Sequence, residues 1–315
     1  MHRQRIQATP SLRRCLAGVL LSLCVSLVHA ADTAKEMVWM AMDFPPALII
    51  VDGQPTNGFV DTILKMIFAE MPETRHRILI TPAARGWSNL SQGQAMCFVT
   101  PLRTREREAI AYFTSTQPIP PIQLVTRNDV INKLPLNAQG EVLSAALVNQ
   151  SGLRGLITPG RSYTQSLDTL LSQRNAQSDV RNVVAALNGS NILHMISRGR
   201  ADYTFEFDYI LAYDELRHPQ LQKGFALKSL PIEGVRWQVA GIACPHTEWG
   251  RDMVIRLDAI VARLSQRPEY QAALRRWLTP DTVKRYSKEL NDFYRKRAQR
   301  TPASEYQLRP ASAIK

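Results

Sequence analysis

Residues 97–115 read CFVTPLRTREREAIAYFTS. An apolar, strand-like start (Cys97, Phe98, Val99) runs into Thr100 and then into three arginines, Arg103, Arg105 and Arg107. The stretch closes on Tyr112-Phe113-Thr114-Ser115. Thr104 is a good helix N-cap, and Glu106 and Glu108 suit the positive end of a helix dipole, so a helix is expected to begin there. Arg107 then lies in the first turn, beside backbone N–H groups that lack a helical partner. A guanidinium in that setting can hold a carboxylate with both prongs, while Thr100 and N–H donors share the second oxygen. Arg103 and Arg105 read as ordinary surface charges.

Strands and helices alternate outward from this stretch. Strands are expected at 38–42, 77–81 and 95–99. Between them, Phe59, Ile63 and Ile67 recur at helical spacing with Val60, Leu64 and Phe68 beside them, and a short helix over 87–92 ends at Gly93. A second unit has strands at 122–126, 155–158, 180–184 and 203–205, with helices over 166–174 and 191–198. A long strand at 237–244 follows, then a helix carrying Val254, Leu257, Val261 and Leu264, and another over 268–278. The pattern implies a two-lobed α/β protein of two open sheets with flanking helices. Its crevice would lie outside the carboxyl ends of the strands.

The amino terminus bears on compartment. Arg3, Arg5, Arg13 and Arg14 form a basic region, residues 15–28 are almost wholly apolar, and Val28-His29-Ala30 places small residues at −3 and −1 of a cleavage site. This is the pattern of a signal peptide over residues 1–30, cleaved after Ala30, and it places the mature chain in the periplasm. The formal charge of +12 is unevenly spread. Nine basic and three acidic residues lie from Lys284 onward, so 284–315 read as a basic helix end and then, from Pro302, a disordered tail. A nucleic-acid binder carries its charge on the folded body among aromatic residues, so no nucleic-acid partner is expected. Only Cys97 and Cys244 remain after the signal, both in strand-like runs. An oxidising compartment leaves them as a disulfide or as two buried thiols.

Catalytic and metal-binding motifs are missing from the sequence pattern. Gly53-Gln54-Pro55-Thr56-Asn57-Gly58 has phosphate-loop spacing, but Phe59-Val60 stands where Lys-Ser/Thr is needed. The four histidines after residue 30, His76, His194, His218 and His246, show no i, i+4 pair and none lies near a cysteine in metal-ligand spacing. No Gly-x-Ser-x-Gly elbow occurs. Asp43, Glu206 and Asp208 are far apart in sequence and read first as turn, cap or ligand contacts. No catalytic residue, cofactor or metal is expected.

The chain resembles the bacterial extracellular solute-binding proteins of the polar amino-acid type (family 3). The resemblance runs from about residue 38 to residue 278. Asp43-Phe44-Pro45-Pro46 and the Asn57–Leu64 passage are similar to that family's opening loop and first helix. Thr104-Arg105-Glu106-Arg107, followed by Phe113-Thr114, resembles its Thr-x-x-Arg segment and phenylalanine-plus-hydroxyl ending. Gly199-Arg200-Ala201-Asp202 resembles its Gly-Arg-x-Asp turn. Two departures are Gln94-Ala95-Met96 after Gly93, and Leu102 in place of a hydroxyl residue.

The resemblance implies a type 2 periplasmic-binding fold with two hinge strands. One lobe would comprise 31–120 plus 229–283 and the other 121–228. It implies that Arg107 clamps the ligand's α-carboxylate with Thr100 beside it, and that Ser162, in Gly160-Arg161-Ser162, contacts the ligand from the second lobe. Glu206 or Asp208 would accept its α-amine. Asp43 lies in the opening loop, Phe44 and Trp87 could stack on its side chain, and Arg85 could face the cleft. The fold also returns the strand after the second lobe to a place beside the third strand, which implies a Cys97–Cys244 bridge.

The expected protein is a monomeric, non-enzymatic receptor handing an amino acid or organic anion to an ABC-type permease. The alternative is a sensor subunit docking on a membrane signalling protein. Similar lobes also occur fused to lytic transglycosylase domains, but the residues after Leu278 are too few for one.

Overall fold

Helical apolar spacing after Gly58 becomes α1 (Phe59–Ala69), whose Phe59, Ile63, Leu64 and Ile67 are all buried. The computed structural model describes residues 35–158, 161, 163–183, 190–219 and 226–307. The expected signal peptide and its cleavage point lie outside them. No helix among the described residues is long and apolar enough to cross a membrane.

Two five-stranded sheets carry the architecture. The first is built from β1 (Lys35–Ala41), β4 (Thr74–Ile80), β5 (Met96–Leu102), β6 (Ala111–Ile119) and β12 (Gln238–Pro245), in the order β4-β1-β5-β12-β6. β2 (Ile50–Val51) and β3 (Gln54–Pro55) form a small separate hairpin. β1, β4 and β5 run parallel, whereas β12 is antiparallel to both of its neighbours. The second sheet contains β7 (Gln123–Arg127), β8 (Gly155–Ile157), β9 (Val180–Asn182), β10 (Tyr203–Glu206) and β11 (Leu227–Leu230), in the order β11-β7-β10-β8-β9. The chain crosses between the sheets twice, at 120–122 and at 231–237. This is the expected two-lobed fold with two hinge strands. β11 belongs to the second sheet through Leu230, so the return crossing begins after the expected boundary at 228.

Each lobe has its own apolar interior. Trp39, Ile63, Leu64, Val254, Leu257 and Val261 are buried in the first, where α8 (Glu248–Leu264) packs on β6 and β12. Leu124, Leu147, Leu167, Tyr203 and Phe205 fill the second. Cys97 and Cys244 face each other across the β5–β12 pair, one step from the Phe98–Ala243 register, and form the implied disulfide. Their Cα atoms are 4.4 Å apart, the close spacing of directly opposed antiparallel residues. Closing a loop of 147 residues restricts the unfolded chain and contributes on the order of 4–5 kcal/mol in the chain-entropy treatment.

The C-terminal segment corrects the expectation of a solvated end and a disordered tail from 302. α9 (Pro268–Arg275), α10 (Pro280–Arg285) and α11 (Ser287–Arg297) continue the fold. Arg297 is buried, donating to Asp258 and Thr114 at 2.8 Å each and to the Ser115 carbonyl at 2.6 Å. Thr301 donates to Asp258, and Tyr306 is buried with its hydroxyl on the Phe113 carbonyl at 3.2 Å. Residues 308–315 lie outside the described residues.

Candidate functional site

The parallel strands of the first sheet end together, so the segments that follow β1, β4 and β5 gather at one edge. Asp43 and Phe44 follow β1, α2 (Ala83–Ser91) with Arg85 and Trp87 follows β4, and the end of β5 leads to Arg107. The loop between Phe44 and α1 is held by Asp61, whose carboxylate accepts from the backbone N–H of Gly58 at 2.7 Å and of Ile49 at 2.9 Å. A Cβ at position 58 would meet the Ala47 carbonyl oxygen at 2.6 Å and that of Pro46 at 2.7 Å, so only glycine fits. The Asn57–Leu64 motif is therefore a brace for this loop. Phe44 packs half-buried on the core, whereas Asp43 is exposed.

Arg107 is placed by local structure that the sequence signalled. Thr104 caps the short helix α3 (Arg105–Glu108), its hydroxyl accepting from the Arg107 N–H at 3.4 Å. The half-buried guanidinium donates to the Leu102 carbonyl at 2.8 Å and lies over the Trp87 ring, 5.0 Å from its centroid. Trp87 is itself set edge-on against Phe98 at 5.5 Å. Arg107 makes no direct ion pair among the described residues, and burial lowers its pKa from the ordinary arginine value against a smaller opposing pull from the neighbouring Glu106. Arg103, by contrast, is paired with Glu108 and with Glu305 at 3.3 Å, while Arg105 is exposed. Thr100 has a left-handed backbone, φ 72°, a conformation that bulky residues rarely adopt. Arg85 is exposed and makes no ion pair among the described residues.

The second sheet has a corresponding edge. After β8, Arg161 reaches Glu206 at the end of β10 in a two-pronged ion pair, and its guanidinium lies 5.3 Å from the Tyr163 ring centroid. Glu206 also accepts from the Phe207 N–H at 2.8 Å. Burial works against the Arg161 charge, but Glu206 outweighs it and raises the pKa. Burial pushes the Glu206 carboxyl up, against the opposing pull of Arg161 and of the Phe207 N–H. Tyr163 is fixed in turn, its hydroxyl accepting from the Thr158 N–H at 2.8 Å and its own N–H donating to Asp168 at 2.8 Å. Gly160 and Ser162 lie outside the described residues.

Asp208 has a different task. It begins α7 (Asp208–Arg217) and accepts from Ser229 at 2.7 Å and from the Thr279 N–H at 2.8 Å and hydroxyl at 3.1 Å. It thereby clasps the second lobe to the turn before α10. Tyr209 against Phe59 (5.4 Å) and Tyr213 against Trp277 (5.6 Å) extend the same contact. The Gly-Arg-x-Asp turn is also structural. Gly199 takes a left-handed φ of 69°, and Asp202 receives Arg154 at 2.9 Å and Arg127 at 3.3 Å. Burial acts to raise the Asp202 pKa, but these contacts lower it to about 2.

Sequence reasoning quoted Arg161 as part of a loop but assigned it no role, and it passed over Tyr163. An arginine directly after the Pro159-Gly160 pair was the available signal.

No family model matches the chain, and no curated protein matches it. Solved structures do. The extracellular-binding protein of a probable amino-acid ABC transporter from Bacillus subtilis has a TM-score of 0.59 at 13% identity, over 79% of this chain and 99% of that one. A structure from work on glutathione import via GshT and the cystine ABC importer TcyBC of Streptococcus mutans gives 0.58 at 12%, over 77% and 94%. A histidine kinase sensor domain similar to periplasmic binding proteins gives 0.56 at 18%, over 79% and 100%. The likeness at these identities is one of fold: a two-lobed, periplasmic-binding-protein-like architecture.

Proposed function

We propose that this protein is a periplasmic solute-binding protein of the polar amino-acid type. It captures a small carboxylate-bearing ligand between its lobes and delivers it to an ABC-type permease. The observation that carries this reading is Arg107, a half-buried guanidinium that makes no direct ion pair among the described residues and feels only the exposed Glu106 nearby, seated on Trp87 at the carboxyl edge of three parallel strands. A partly desolvated cation with no carboxylate in contact is suited to an anion brought by a ligand. In this reading Thr100 lies beside the bound carboxylate, Phe44 and Trp87 line the ligand's side-chain space, and Asp43 and Arg85 sit at the mouth. Glu206 shares its charge with Arg161, so a ligand amine reaches it only by competing with that arginine. The ligand favours closure by touching both lobes, one built on the first sheet and the other on the second.

Isothermal titration of the mature chain with the twenty amino acids and small dicarboxylates tests this. The expected result is one ligand bound per chain, lost in Arg107→Ala with an unchanged Tm. Undiminished affinity in that variant overturns the assignment.

The second reading keeps the cleft and changes the recipient. The likeness to a kinase sensor domain, which spans all of that domain, favours a receptor docking on a membrane signalling protein. Pull-down of the ligand-loaded protein against the two kinds of membrane partner distinguishes them.

A further inference from the structure

We infer that His194, Asp214 and His218 form a site for one divalent transition-metal ion in the second lobe, away from the Arg107 edge. Metal-ligand spacing is absent from the sequence because one ligand comes from a different helix. His194 lies on α6 (Ser190–Ser197), Asp214 on α7, and His218 at the carboxyl cap of α7. Asp214 and His218 are one turn apart, the His218 N–H donating to the Asp214 carbonyl at 2.9 Å, and α6 packs against that helix.

The geometry brings three ligand atoms together. His194 Nε2 is 3.1 Å from an Asp214 carboxylate oxygen, and the His218 ring stands edge-on to His194 with centroids 4.7 Å apart. One nitrogen or oxygen from each residue lies within 4.8 Å of the others. Zinc–nitrogen and zinc–oxygen bonds of about 2.0–2.1 Å place neighbouring tetrahedral ligands about 3.3 Å apart, so small side-chain rotations close the site. The set of two imidazoles and one carboxylate suits Zn2+ with water as the fourth ligand, and other borderline divalent ions compete for it.

The surroundings favour an ion held at the surface of the lobe. Asp214 is buried, while His194 and His218 are only half-buried, which leaves a route from solvent to the carboxylate. The nearby cation Arg217 is turned onto Tyr213, its hydroxyl accepting from the guanidinium at 2.9 Å. The other two histidines among the described residues are occupied elsewhere: His76 accepts from the Trp39 indole at 3.1 Å, and His246 packs on Tyr112. A bound ion would staple α6 to α7 and stabilise the lobe in proportion to its occupancy.

The test uses the untagged mature chain after chelator treatment, titrated with ZnCl2 by calorimetry and by thermal melts. The expected result is one equivalent bound with a Kd in the micromolar range and a rise in Tm of about 5 °C at a hundredfold excess over Kd. Co2+ in place of Zn2+ should give the visible absorption of a four-coordinate ion. His194→Ala and His218→Ala should each weaken binding about 100-fold while the metal-free Tm stays within about 2 °C of the parent, since each removes one half-buried ligand. His246→Ala should bind as the parent does. Failure of the parent to bind Zn2+ below about 100 µM, or equal binding by the His194→Ala/His218→Ala double variant, overturns the site.

Discussion

Arg107 and Arg161 are both half-hidden arginines beside an aromatic ring, just past the end of a strand, one in each lobe. They differ in what neutralises them. Arg161 is closed on Glu206, with two guanidinium nitrogens on two oxygens. Arg107 touches a carbonyl and a ring and no carboxylate among the described residues, with only the exposed Glu106 acting on it from a distance. Residue type and burial alone thus do not distinguish a structural cation from a recognition cation. The counter-ion does, because a desolvated charge must find its partner inside the fold or from outside it.

The largest effect should come from unbalancing the closed pair. Glu206→Gln leaves Arg161 buried against a neutral amide, and urea unfolding should show a loss of about 3–5 kcal/mol. The apolar double variant Arg161→Met/Glu206→Leu should recover most of it, and a double variant as unstable as the single one would contradict a pairing role.

Removing the open cation should act on binding instead. Arg107→Ala should weaken the best amino-acid ligand at least about 100-fold, equivalent to about 2.7 kcal/mol, with stability unchanged. A large drop in Tm would place Arg107 with Arg161 among the structural charges.

Asp202 extends the comparison, because its charge too is satisfied within the second lobe. Its folded-state pKa of about 2 lies below the unfolded value near 3.8, so its contribution is complete above about pH 4 and lost as pH falls toward 2. Arg154 is 42% exposed on its side chain, which reduces the contribution to about 1–2 kcal/mol. Asp202→Asn should lower stability at pH 7 by that amount and flatten the acid limb between pH 4 and 2. An acid limb parallel to the parent's would remove Asp202 from the account. Thr104→Ala, which deletes the cap beneath Arg107, should cost about 0.5–1 kcal/mol and weaken binding only a few-fold, read by the same melts and titrations.

Legibility in the sequence followed local physics. Helix α1, the Thr104 cap and the strands at 95–99 and 237–244 were readable because periodicity and capping are properties of a few consecutive residues. β6 was not read as a strand. Its Thr114, Thr116 and Gln117 look like loop residues, but they are buried and hydrogen-bonded, with Thr114 on Asp258 at 3.1 Å. α7 escaped for a related reason: Tyr209, Ile210 and Leu211 are buried between the lobes, so it lacks a single polar face. The basic C-terminus looked solvated because charge predicts exposure until a partner such as Asp258 is supplied from a distant helix.

The sequence by itself therefore determined the alternation of strands and helices, the cap that orients Arg107, and the two cysteines available to pair. Only the tertiary structure decided which charges are spent inside the fold: Arg161 on Glu206, Asp208 on Thr279, Arg297 on Asp258, and none of the described carboxylates on Arg107. Pairing depends on which segments the sheets and helices bring within a few ångströms. That information is held by long-range packing and by no short stretch of chain.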